Sequence, residues 1–380
     1  MKRTVVAVLV LALAGCAGAK DAPISSPTLQ SAAFPEPATG ALDPAKARSL
    51  QDVLAKIVSM PDIESGARGA TAAVVTDRWS WSGAAGKDAG GTALTPTTGM
   101  PVASITKTFV AAEVLLLAAA KKVGLDAPIS TYVKNKLTAN NATVRQHLSM
   151  TSGVPNYLPD DYARLDKAIK AAPGKHWTPE QALSYDTAPV GPPASPYDYS
   201  NPSYVLLGLL IEKVTGQPLA AVLRRDLATP AGLQHAAFQD GEKPLPPVVT
   251  DANPVCGKPD GYLPCRAIAS LSAANAGLVA DAPTVARWGY QLYGARTVQP
   301  ELVKEMTAGD GEYGLGTMLY SEQFGIATAY GHRGEMPDHD SILVVVPAKH
   351  LAVALLLADG NKHVDTAMSQ LIEAVRPLLT

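Results

Sequence analysis

Hydrophobic and polar positions along the chain change period several times. From Ala45 to Val58 the apolar residues Leu50, Val53, Leu54 and Ile57 fall at the spacing of one helix face, which predicts an opening amphipathic helix. Thr71–Val75 and Arg78–Ser82 read as strands around a Thr76-Asp77 turn, and Gly83–Gly91 reads as a further turn before Pro96. Ser104 to about Lys122 is dense in Ala, Val and Leu with almost no polar face, which predicts a helix buried in the domain centre. Between Leu125 and Val285 helical patterns (144–150, 179–184, 203–215, 219–228) alternate with Pro/Gly-rich loops. The last third returns to strands, at Tyr313–Leu319, Ile326–Tyr330, Ser341–Val346 and Leu351–Ala358, mostly joined by short turns such as Pro347–His350. An amphipathic helix, Val364–Leu379, follows. Sequence-near strands with short turns imply an antiparallel sheet, and the terminal helices need a face to cover. The expected fold class is therefore α+β: a sheet drawn from both chain ends, flanked by terminal helices, with a mostly helical subdomain at about 110–285.

The N-terminus has a different pattern. Lys2 and Arg3 precede an apolar run, Val5–Leu13, that is too short to remain as a membrane-spanning helix, so residues 1–15 read as a removable signal peptide. The run ends in Leu13-Ala14-Gly15-Cys16, a junction that resembles the bacterial lipobox, in which the cysteine is acylated. The other reading is an ordinary secretory signal with a chance cysteine. Residues 17–44 are rich in Ala, Pro, Ser and Thr and poor in large apolar side chains, so 16–44 is expected to be a disordered tether and 45–380 the folded domain. The expectation is an exported bacterial lipoprotein, anchored to the cell membrane and facing the periplasm or cell exterior.

Composition narrows the function. A net charge of -2 argues against a nucleic-acid partner. Besides Cys16 the chain has Cys256 and Cys265, near each other in a Pro/Gly-rich stretch. In an exported chain they read as a local disulfide, with a metal half-site or two free thiols as the alternatives. His332, Asp338, His339 and Asp340 match no zinc spacing, so no metal and no cofactor are expected. The chain has no G-x-S-x-G, and no internal repeat is visible.

Ser104-Ile105-Thr106-Lys107 is the one S-x-x-K in the chain and opens the buried helix. Residues three apart share a helix face, so Lys107 can reach the Ser104 hydroxyl, and the helix start adds backbone donors suited to an oxyanion. Tyr199-Ser200-Asn201 is the one Y-x-N, in a Pro-rich loop before a helix. A phenol there could take the serine proton if Lys107 favoured its ionised form. Asn201 is either a substrate donor and acceptor or a cap of the next helix. The third motif is His332-Arg333-Gly334, placed between two predicted strands.

In order, content and rough separation these motifs resemble the penicillin-recognising serine enzymes: class C β-lactamases, DD-peptidases and related esterases. Gln146–Gly153 is similar to that family's helix ending in T-S-G, and Ala276–Ala280 resembles its G-G-L-x-S turn. The resemblance implies a β-lactamase/DD-peptidase-like fold with Ser104 as nucleophile, Lys107 as its partner and Tyr199 as general base, then acid. It implies that Asn201 orients the substrate, that His332 and Gly334 shape the strand beside it, and that Ser104 and Glu335 supply oxyanion-hole N–H groups. His332 stands where the β-lactamases have Lys, which favours the peptidase and esterase branch. Arg333 falls on the face opposite His332, as a solvated charge or a substrate contact. The implied activity is hydrolysis of an amide or ester through an acyl-enzyme, with a small molecule or peptidoglycan peptide as substrate. The alternative is a non-catalytic envelope lipoprotein of the same fold that binds peptidoglycan fragments or a protein.

The lipobox reading has a direct test. In a bacterial host the chain should partition with membranes and Cys16→Ala should be released from them; a mature protein without acyl mass would remove the reading.

Overall fold

The computed structural model describes residues 33–59, 67–194, 196–257, 260–309, 311–320, 323–326, 328–360 and 364–379. The expected signal peptide and Cys16 lie outside them. Among the described residues the strands are β1 (Gly69–Val75), β2 (Ser80–Gly86), β3 (Met100–Pro101), β4 (Ala237–Phe238), β5 (Leu278–Ala280), β6 (Met318–Leu319), β7 (Tyr330–Met336), β8 (His339–Val346) and β9 (Leu351–Leu357). The α-helices are α1 (Pro44–Ser59), α2 (Thr106–Ala119), α3 (Val144–Leu148), α4 (Pro159–Ala171), α5 (Pro179–Leu183), α6 (Asn201–Thr215), α7 (Leu219–Leu223), α8 (Arg266–Leu271), α9 (Ala282–Tyr293), α10 (Pro300–Met306) and α11 (Val364–Val375).

Six strands form one antiparallel sheet in the order β2-β1-β9-β8-β7-β6. Period-two alternation sorts its central strands into two apolar faces. Ala70, Ala72 and Val74, Ile342 and Val344, and Val353, Leu355 and Leu357 pack with Leu50, Leu54 and Ile57 of α1 and Met368, Leu371 and Ile372 of α11. Each such fully buried Val, Leu or Ile stabilises by roughly 1.5–3 kcal/mol. The opposite face carries smaller groups, Ala73, Ala352 and Ala354, beside Leu343, Val345 and Leu356. There α9 lies close: a Cβ added at Gly289 would sit 2.6 Å from Leu343 Cδ1 and 2.9 Å from Val345 Cγ2. Beyond α9 the buried α2 runs through the helical half, where Phe109 stacks on Trp288 at 3.9 Å. A second, three-stranded sheet, β3-β5-β4, went unread in the sequence because two of its strands span two residues each.

The folded part begins earlier than composition suggested. Within the expected tether, Phe34 is buried with its ring edge-on to Tyr290 at 5.1 Å, and its N–H donates to Gly294 O at 2.8 Å. Leu42 N–H then donates to Ser80 O at 2.9 Å. These two apolar side chains, with hydrogen bonds such as that from Tyr290 Oη to Pro35 O at 3.0 Å, dock a segment that is otherwise small and polar. The expected strand Tyr313–Leu319 shrinks to Met318–Leu319, because Gly316 takes φ +70° and Gly314 N–H donates to Thr317 O at 2.8 Å in a turn. His332-Arg333-Gly334 does not join two strands; it is the middle of β7, held in register by Leu343, Ile342 and Ser341 of β8.

Cys256 and Cys265 form a disulfide, Cα–Cα 5.6 Å. It packs with Tyr157, Leu165, Ile169 and Trp177 in a small satellite core. Thiol counting on the denatured, unreduced protein should find both blocked. Replacing both with Ala should cost about 2–3 kcal/mol in urea unfolding, the cost expected for a loop this short; an unchanged midpoint would contradict it.

Candidate active site

Ser104 lies in a 3-10 turn, Ala103–Ile105, that leads directly into α2. The residue before it, Ala103, has φ +46°, a left-handed conformation costing a non-glycine residue about 1–2 kcal/mol. Neighbouring bonds hold that strain in place. Val102 N–H donates to Leu278 O at 3.0 Å, Ser341 Oγ donates to Val102 O at 2.9 Å, and Thr106 Oγ1 donates to Ala103 O at 2.7 Å. The backbone of β7 presses on the same turn: a Cβ on Gly334 would lie 2.2 Å from Val102 O and 3.0 Å from Ala103 Cβ.

Lys107 reaches back one turn and is fully buried. Its Nζ lies 2.9 Å from Ser104 Oγ, 2.9 Å from Asn201 Oδ1 and 2.8 Å from the Asn275 carbonyl oxygen. None of the three is a carboxylate, and burial holds the amine well below the ordinary lysine pKa. Tyr199 has its ring centroid 4.9 Å from Lys107 Nζ. Burial pushes the phenol above its ordinary range, and the nearby Ser104 hydroxyl pulls the other way only in part. The condition the sequence set for Tyr199 as base was an ionised phenol favoured by Lys107; burial instead drives both groups toward their neutral forms.

Asn201 is the first residue of α6, not its cap. Ser200 is the cap, with Oγ accepting from Ser203 N–H at 3.1 Å. This leaves the Asn201 amide for the site, where Oδ1 also accepts from Asn275 Nδ2 at 3.3 Å and Nδ2 faces Tyr162 Oη at 3.4 Å.

His332 needs a correction. It is fully buried behind the site, edge-on to Tyr313 at 5.6 Å and 6.3 Å from the Tyr199 ring, and forms no part of the cleft wall. Its Nε2 accepts from Tyr313 Oη at 3.0 Å and its Nδ1 donates to Arg333 O. Burial, with Lys107 nearby, lowers its pKa to about 3, so the ring is neutral. Strand alternation brings Arg333 to the cleft side instead, where its guanidinium holds Asp365 at 2.6 Å.

Arg333 N–H points toward Met318 Sδ on the β6 side, at 3.5 Å. Directions repeat every second residue along a strand, so Glu335 N–H points to the same side, beyond the end of β6 and into the cleft. The cleft has a volume of about 860 Å³. Asn156, Tyr162, Tyr197 and Tyr199 line its helical wall, and Met318, Gly334, Glu335 and Met336 its sheet wall. Asn156, Tyr162, Tyr197 and Asn275 were not read from the sequence; they belong to loops and to α4, which only the tertiary fold brings to Ser104.

Asp338 and His339 meet Asp251, with the three ligand atoms within 4.8 Å. Asp338 is already engaged by Arg68 at 2.5 Å and by Ala252 N–H at 2.6 Å, and His339 Nε2 pairs with Asp251 at 2.9 Å. These contacts tie the β7–β8 hairpin to the 250s loop.

A family model described as Beta-lactamase matches residues 47–375. The chain belongs to that family. Within known proteins, Protein flp of Staphylococcus aureus is 28% identical over 149 residues, 38% of this chain and 29% of that protein, so the match spans less than a third of the relative's length. Among solved structures, the D-amino acid amidase of Ochrobactrum anthropi SV3, complexed with L-phenylalanine amide, superposes with TM-score 0.75 at 22% identity, covering 88% of this chain and all of that one. A D-stereospecific amidohydrolase from Streptomyces sp. gives 0.71 at 24%, covering 86% and 98%. At these identities the likeness to both structures is one of fold.

Gly334→Ala should move the Ser104 turn, because the clash is with backbone. Acylation should fall by at least tenfold, equivalent to about 1.4 kcal/mol, with the fold retained by circular dichroism. Wild-type acylation rates in this variant would show that β7 does not brace the nucleophile.

Proposed function

We propose that the chain is a serine hydrolase that cleaves amide bonds through an acyl-enzyme on Ser104. The observation that carries this reading is the buried, carboxylate-free amine of Lys107 at 2.9 Å from Ser104 Oγ. A neutral amine at that distance is a competent base for the hydroxyl. In acylation Ser104 Oγ bonds to the substrate carbonyl carbon as its proton passes to Lys107, and the N–H groups of Ser104 and Glu335 receive the oxyanion. Collapse breaks the C–N bond; the leaving nitrogen takes the Tyr199 phenol proton, and Lys107 returns a proton to Tyr199. Water then attacks the acyl-enzyme, its proton passing to the same pair, and Ser104 leaves with a proton.

The charges around the cleft favour a substrate without a carboxylate beside the scissile bond. Among the described lining residues Arg333 is the one cation, and Asp365 holds it, while Glu335 adds negative charge. This supports small amides, such as the D-amino acid amides in the name of one structural neighbour, over peptides ending in a free carboxylate or β-lactams. Residence in the envelope as a lipoprotein belongs to the same proposal and rests on the Cys16 junction.

Purified protein should hydrolyse D-phenylalanine amide, and Ser104→Ala should abolish both turnover and labelling by an activated phosphonate. Lys107→Ala and Tyr199→Phe should lower kcat by about 10²–10⁴-fold. A folded Ser104→Ala protein that retained wild-type turnover would overturn the reading. Activity should decline on the acid side as Lys107 gains a proton, since the amine must be neutral to accept one. His332, held to about 3, should add no limb between pH 5 and 9, and His332→Asn should leave the shape of the profile unchanged.

A further inference from the structure

We propose that Asn275 is a positioning residue of this site: its side-chain amide fixes which way Asn201 faces, and thereby aims the Lys107 lone pair at Ser104. The inference rests on Lys107 acting as the base.

A neutral lysine amine has two N–H bonds and one lone pair. Of its three neighbours, Asn201 Oδ1 and Asn275 O are carbonyl oxygens, which only accept. Both N–H bonds therefore go to them, and the lone pair is left for the Ser104 hydroxyl, the one neighbour that can donate. This arrangement fails if the Asn201 amide turns over. An NH₂ facing Lys107 would donate to the lone pair and remove the base from Ser104.

Two contacts hold the Asn201 amide against that rotation. Asn275 Nδ2 donates to Asn201 Oδ1 at 3.3 Å, a bond only an oxygen can accept. On the far side Asn201 Nδ2 faces Tyr162 Oη at 3.4 Å, which is long for a hydrogen bond. Tyr162 is exposed and sits on α4 at the cleft rim, so the inner contact from Asn275 is the firmer one. Asn275 thus closes a ring with Lys107 and Asn201, giving its backbone oxygen to one and its side-chain donor to the other.

The position of Asn275 is itself well defined. The residue is buried, its N–H donates to Ser272 O at 2.9 Å, and the segment after it becomes β5. Because β5 pairs with β3, which leads into the Ser104 turn, donor and nucleophile flank the same end of one short sheet. An amide is suited to this place because it donates without adding charge. A carboxylate of the same shape would lose the donor and attract a proton to Lys107.

The test compares Asn275→Asp with Asn275→Ala, using D-phenylalanine amide turnover and phosphonate labelling across pH 5–10. Aspartate should move the acid limb to higher pH, so that activity lost near neutrality returns in alkali. Alanine should lower the plateau about five- to tenfold, the equivalent of one lost hydrogen bond of about 1–1.4 kcal/mol, without moving the limb. The titratable groups facing Lys107 are Tyr199 and Tyr204, with ring centroids 4.9 and 5.6 Å from Nζ, and His332 on β7. Burial keeps all three neutral near pH 7, so the limb reports Lys107. A merely structural Asn275 would lower thermal stability and leave the limb of the Asp variant in place, which would overturn the inference, as would an Ala variant at the wild-type plateau. Asp is isosteric and keeps the backbone carbonyl, so it remains informative if Ala folds poorly. Ser104→Ala runs alongside: if it stays active, the reading of the site has failed, whereas a dead Ser104→Ala beside unaltered Asn275 variants sinks this inference alone.

Discussion

Burial of the Lys107 amine is the constraint on which the rest of the site depends. An ammonium removed from water is costly unless paired, and here the partners are neutral oxygens. Burial drives the amine toward its neutral form, which must still place both N–H bonds. That requires three chain segments to meet: the start of α2, the first residue of α6 and the loop entering β5. The apolar body of α2 sets the depth of the amine, since nearly every side chain from Thr106 to Leu117 is buried. The same depth raises the Tyr199 phenol and neutralises His332, so one dielectric environment prepares three groups in the same sense.

The sheet supplies the opposing wall. Gly334 lets β7 approach the strained Ala103–Ser104 turn, and Ser341 on β8 reaches across to Val102 O. Small residues on the sheet face under α9 do similar work deeper in the molecule, where Gly289 and three alanines let the helix settle close to the strands. At Gly334 backbone approaches backbone, and at Gly289 the helix backbone approaches the side chains of Leu343 and Val345, which is why side-chain size at both places matters more than polarity.

The motifs of the site were legible because their chemistry is local. Ser104 and Lys107 are one helical turn apart, and Tyr199 and Asn201 lie two residues apart at the start of α6. Asn275 and Tyr162 carry no such mark: one is a polar residue in a turn before β5 and the other an exposed position on α4, and the role of each comes from strands and helices far away in sequence. His332 illustrates the limit of pattern from the other side. Alternation correctly separated it from Arg333, but only the position of Tyr313 shows that the histidine is covered and the arginine is the one at the cleft. The longest fold elements were legible from their periodicity, including α1, α2 and the strands β8 and β9. β7 was displaced by its own composition, since Gly331, Arg333 and Gly334 do not look like a strand until β8 pairs with them. Phe34 and Leu42 were hidden in a stretch whose average polarity concealed them.

The strand order has a consequence for how the molecule is made. β1 lies between β2, its neighbour in sequence, and β9, which ends at Leu357. A ribosome releases β1 roughly 280 residues before the partner that completes its other edge. Until then a run of small and β-branched residues, Ala70 to Val75, has one unpaired side, the kind of edge on which nascent chains stick to one another. Closing the sheet is thus a late, long-range event with slow kinetics expected from its topology. A chain held unfolded until its last strand has emerged, by a chaperone or by passage through a translocation pore, avoids that exposure.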